Sequence, residues 1–93
     1  MNAMHMADLC GVAMSQLCEF EALLQFVSEA HHAFIFKSKP EIIELQQIAK
    51  HETANNVTQE QATHIHDICE KLWYIYQSLP KHARDTLNYD EDS

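Results

Sequence analysis

Cys10, Ala13, Leu17, Phe20, Leu24, Val27, His31 and Phe34 recur at alternating steps of three and four residues. That spacing holds one face of a helix toward a partner through about seven turns. A second row, Ala22, Leu23, Phe26, Ala30 and Ala33, runs beside the first, so the segment needs cover on more than one side. The pattern predicts a single helix from about Asp8 to Phe36, with Asp8 accepting from the first free amides and residues 1–7 as a loose, flexible lead-in. At about 1.5 Å per residue, such a helix is roughly 43 Å long. Ala33-Phe34-Ile35-Phe36 also suits a short strand, but no second strand is available to pair with it.

Gly11 is the only glycine among 93 residues, and Pro40 and Pro80 are the only prolines. Hairpins need more turn residues than that, so the expected class is all-α, and the length suits one domain. Ser38-Lys39-Pro40-Glu41 reads as the start of a second helix, with Ser38 as cap and Pro40 in the first turn. Its stripe would be Ile42, Leu45, Ile48 and Ala49, and its end would fall at Asn55-Asn56. Thr58 and Gln61 form a capping box for a third helix, whose row Ile65, Ile68, Leu72, Ile75 and Leu79 runs to Pro80.

A short C-terminal helix would continue through Leu87, and residues 88–93, with Asp90, Glu91 and Asp92, read as an acidic disordered tail. Short links make consecutive helices antiparallel neighbours. The expectation is therefore a single helical domain over 8–87, an antiparallel three-helix up-down-up bundle. The second helix would reach only about 24 Å, so the overhang of the first predicts a second copy and a dimeric helical bundle.

Six Lys and Arg face 14 Asp and Glu, a formal charge of -8, and no Lys or Arg precedes Lys37. Phosphate backbones and anionic membranes are bound through basic side chains, so direct nucleic-acid or membrane binding is not expected. An acidic face suits a basic patch on another protein, with nucleic-acid mimicry as its extreme form, and it equally serves solubility alone. Cys10, Cys18 and Cys69 are odd in number and widely spaced, which fits reduced thiols in a cytoplasmic protein better than a disulfide framework. The first residues lack a basic region and Glu19 interrupts the apolar stretch, so neither a signal peptide nor a membrane span is expected.

Glu29 and His32 have the Glu-x-x-His spacing of a di-iron helix, yet both turn away from the inward row. His64 and His66 leave a helix about 200° apart, too far for one ion, and exposed pairs of His64 with Asp67 and His66 with Glu70 are expected instead. His31, on the inward row, is either a core histidine or a pH-sensitive contact. No thiol has a recognisable base beside it, and no nucleophile turn or glycine-rich phosphate loop is present. No catalytic, cofactor-binding or metal-ligating residue is assigned.

In Leu72-Trp73-Tyr74-Ile75-Tyr76 only Leu72 and Ile75 are needed for the inward row. Trp73, Tyr74 and Tyr76 then serve either a contact surface or a wide packed face, and Trp and Tyr are prominent in protein interfaces. With Leu23, Phe26, Ala30 and Ala33 they make up the expected protein interface. The reading is a non-enzymatic interaction module, a small acidic homodimer that regulates, inhibits or chaperones another protein. The alternative is a metal-binding or metal-sensing bundle using His and carboxylate ligands.

Overall fold

A computed structural model describes residues 2–51 and 57–87 of the chain. It is all-helical, and three long helices pack together: α1 (Ala3–Ala22), α2 (His32–His51) and α3 (Gln59–Ser78), followed by a single turn, α4 (Lys81–Arg84). Each long helix has 20 residues and so measures about 30 Å.

The single rod expected over Asp8–Phe36 does not form. α1 stops at Ala22, two 3-10 turns (Leu24–Phe26 and Glu29–His31) carry the chain around a corner, and α2 begins at His32. Reversal lets Ile35, Ile42, Leu45 and Ala49 join Cys10, Ala13, Leu17 and Phe20 in one buried core. Fully burying an aliphatic side chain contributes about 1.5–3 kcal/mol, and a straight rod would have left one of these sets in water. The expected ladder holds in α1, but in α2 the buried row is Ile35, Ser38, Ile42, Leu45 and Ala49, one residue out of register with it, and Leu24, His31 and Phe34 are only half-buried. The overhang disappears with the rod, and with it the argument that a second copy must cover it.

The corner is held by its own polar groups. The N–H groups of Leu23, Phe26, Val27 and His31 donate to the carbonyls of Phe20, Leu23, Leu24 and Ser28 at 2.8–3.0 Å. Ser28 accepts from Ala30 N–H at 3.4 Å, and His32 Nε2 lies 3.2 Å from the Leu24 carbonyl and 3.0 Å from that of Val27. Two carbonyl acceptors require the proton on Nε2, so the imidazole donates into the corner from the first residue of α2.

The opening residues also differ from expectation. Asn2, rather than Asp8, caps α1, its Oδ1 accepting from His5 N–H at 2.7 Å. Ala3 and Met6 are fully buried, so residues 3–7 are helix and core rather than a loose lead-in. The ladder simply extends backward by the same step, 3, 6, 10, 13. Ser38-Lys39-Pro40-Glu41 does not start a helix either, because Pro40 sits inside α2 and Ser38 is buried at 1% exposure. Pro40 removes one backbone bond, but it lies on the exposed face, the side where a helix tolerates that loss best.

The third helix matches its signals. Thr58 Oγ1 accepts from Gln61 N–H at 3.1 Å while Gln61 Oε1 accepts from Thr58 N–H at 3.0 Å, closing the capping box. Ile65, Ile68, Leu72, Ile75 and Leu79 are all buried. Pro80 follows as the N-cap of α4, which brings Ala83 into the core, with Leu87 beyond it. The Ser78 hydroxyl, at the end of α3, donates to the Ile75 carbonyl at 2.8 Å.

Side-chain contacts between the helices share one sense. Lys39 Nζ meets Glu21 Oε1 at 2.9 Å and Gly11 lies beside Gln46, while His64 Nε2 is 3.4 Å from Glu41 Oε1 and Lys71 Nζ is 5.2 Å from the Phe34 ring centre. In both sets residue number falls along one helix as it rises along the other. Met1, the expected helix end at Asn55-Asn56 and the tail at 88–93 lie outside the described residues. No described helix is long and apolar enough to cross a membrane.

Two substitutions test these local devices. His32→Ala removes the donor at the corner and is expected to lower stability by about 1–2 kcal/mol in urea unfolding. Thr58→Ala opens the capping box and is expected to cost about 1 kcal/mol in the same measurement.

Candidate interaction surfaces

The expected interface residues do not form one patch. Leu23 and Phe26 are half-buried against the core, and Phe26 meets the His82 ring edge-on at 5.0 Å and 85°. Their apolar area is used within the chain, at the corner. Ala30 and Ala33 are exposed around the start of α2. Trp73 and Tyr74 are 54% and 62% exposed, whereas Tyr76 is half-buried.

Adjacent residues leave a helix about 100° apart, so Trp73 and Tyr74 look in different directions. Trp73 stacks on Tyr76, one turn along, with centres 5.4 Å apart and planes 20° from parallel. Tyr74 meets the His31 ring edge-on at 5.8 Å and shares a shallow surface hollow with Asp67, Glu70 and Lys71. The stacked Trp73–Tyr76 pair is thus one aromatic surface, and Tyr74 belongs to another. His31 is neither a deeply buried core residue nor free, since the Tyr74 contact ties the entrance of α2 to α3.

A groove between α2 and α3 escaped the sequence reading. One hollow of about 560 Å³ is lined by Glu44, Leu45, Ile48, Glu60, Gln61 and His64. A second, of about 210 Å³, lies between Phe34, Lys37, Ser38 and Glu41 on α2 and His64, Asp67, Ile68 and Lys71 on α3. His64 borders both. Its contact with Glu41 crosses the groove, in place of the expected pairing with Asp67 on its own helix. Signals for this groove exist in the sequence only as residues scattered over two helices, and their meaning depends on which faces meet.

Among the described residues no group of three or more His, Cys, Asp or Glu is arranged to hold a metal ion. His32, half of the Glu-x-x-His pair, points its Nε2 at backbone carbonyls, and Glu29 is exposed on a 3-10 turn. Buried Cys10 is pushed from the ordinary 9.0 up to about 11, chiefly by desolvation and secondarily by Cys69. Cys69 is raised by burial as well, and in both residues burial disfavours the nucleophilic thiolate. Cys18 is exposed. Lys39 is raised above its ordinary value first by its hydrogen bond to Glu21, a contact at the surface between α1 and α2.

No protein-family model matches the chain, and no curated protein or solved structure matches it either.

Thiol labelling at pH 8 is expected to modify Cys18 in the folded protein and Cys10 only on unfolding. A Cys10 thiol raised in the folded state keeps its proton while the unfolded chain ionises. Stability attributable to it is therefore present below about pH 9 and lost as pH rises toward 11, which unfolding free energies measured across that range will show.

Proposed function

We propose that this chain is a non-catalytic interaction protein, a small acidic helical module that acts by binding another protein and pairs with a second copy of itself. The observation that carries the reading is the Trp73–Tyr76 stack: an indole 54% exposed, with its ring held flat on a half-buried tyrosine. A pre-ordered aromatic surface loses little side-chain entropy on docking, and Trp and Tyr dominate binding energy where they become buried. The formal charge of -8 favours a partner with a basic docking patch and raises its rate of encounter at low salt. A regulator, inhibitor or chaperone working in the cytoplasm is the form of activity that fits reduced thiols and an absence of nucleophile motifs in the sequence.

The test compares capture from native lysate by the wild-type protein and by Trp73→Ala, both first shown to have the same helical content. Proteins retained by the first and lost by the second, identified by mass spectrometry, support the reading. Identical capture by both removes Trp73 as the contact and the reading with it. A truncated hot-spot aromatic costs about 2 kcal/mol or more in affinity, enough to empty such a pull-down.

A further inference from the structure

We propose that the groove between α2 and α3 is the surface on which two copies of this chain pair, antiparallel, about a two-fold axis lying across the groove at the level of Glu41 and His64. This locates the self-pairing proposed above and rests on it. The argument is charge complementarity within one groove. Lys37 and Lys71 stand on its two walls at one end, and Glu44 and Glu60 on the same two walls at the other.

Glu41 and His64, in contact at 3.4 Å, lie midway. On α2, Lys37 is four residues before Glu41 and Glu44 three after; on α3, Lys71 is seven after His64 and Glu60 four before. A half-turn about the proposed axis therefore brings Lys37 level with Glu44 of the other copy and leaves Lys71 about 4.5 Å, less than one turn, beyond Glu60. The apolar floor obeys the same symmetry. Phe34 and Ile48, both half-buried, sit seven residues to either side of Glu41, so each would meet the other across the axis. Self-complementarity of one patch is what an isologous dimer requires.

Two features oppose pairing and both are moderated. Asp67, three residues after His64, comes level with Glu60 of the other copy, four before it, and Lys71, four residues beyond Asp67 on the same helix face, offsets that contact. The axis brings the two Glu41 side chains together, but each is already met by its own His64. A foreign partner would need the groove's charge order only in reverse, whereas this chain carries that reversed order itself.

Lys37 and Glu44 are both exposed on α2, so exchanging their charges leaves the core and the α3 cap untouched. Sedimentation equilibrium is run on wild type, Lys37→Glu, Glu44→Lys and a one-to-one mixture of the two variants, with helical content checked by circular dichroism. Wild type is expected at twice the chain mass, with a dissociation constant that rises with salt. Each variant alone is expected to dissociate about tenfold or more readily, because like charges then face each other twice per dimer. The mixture restores both pairs and is expected to recover the dimer. A wild-type monomer overturns the self-pairing itself. A dimer indifferent to both reversals, or a mixture no tighter than its components, overturns the groove as its location. Loss of that dimer in Trp73→Ala would assign pairing to the aromatic surface instead.

Discussion

The corner between α1 and α2 decides the rest of this structure. Continued as helix through Leu23–His31, the chain would hold the α1 and α2 stripes on one long rod, and α3 alone could not cover both. Turned at the corner, the two stripes face each other and α3 closes the core with Ile65, Ile68, Leu72 and Ile75. The corner lacks glycine and proline, and it keeps its backbone satisfied by 3-10 bonds, the Ser28 hydroxyl and the His32 imidazole. A polar turn packed against apolar residues is costly unless its donors and acceptors are paired, and His32 supplies one of those donors. His31 and His82 reinforce the same region through Tyr74 and Phe26.

Legibility in the sequence follows from how local each signal is. The start and stop of α3 are written in side chains that act on neighbouring backbone, Thr58 and Gln61 at one end and Pro80 at the other, and both were readable. The corner was not, because a helical period does not record whether the helix continues or reverses. Ser28 followed by Glu29 is a cap signal with an acidic first turn, and it could have marked the break; the stronger-looking Ser38-Pro40 pair drew the boundary ten residues late. That pair failed because burial of Ile35, Ser38 and Ile42 on one continuous face outweighs the single hydrogen bond that Pro40 forfeits. Asn2 rather than Asp8 caps α1 because Ala3 and Met6 carry the buried row toward the N-terminus, which leaves Asp8 inside the helix and the His5 N–H within reach of the Asn2 side chain.

The candidate surfaces divide the same way. Trp73 and Tyr74 were recognisable as surplus to an inward row, a property of one helix. Leu23 and Phe26 looked equally surplus but lie against the core at the corner, which one helix taken alone does not reveal. The α2–α3 groove is further from the sequence still, because Lys37 gains a relation to Lys71, and Glu44 to Glu60, only when two antiparallel helices bring them level. Net charge concealed this as well. A total of -8 describes an acidic protein, while the groove has both its lysines, Lys37 and Lys71, at one end beside Glu41 and Asp67, and Glu44 and Glu60 at the other.

Separate surfaces have a consequence for how the two proposed contacts combine. Trp73 and Tyr76 form one stack, whereas Tyr74 shares its hollow with Lys71, a residue that also lines the groove. A second copy seated in the groove would cover ground beside Tyr74 and leave the Trp73 stack open. Pairing then adds a second aromatic surface to the assembly without consuming the first. A bivalent module gains by linkage, since the second contact becomes intramolecular once the first has formed, and modest surfaces of a 93-residue chain can together hold a partner that neither would hold alone.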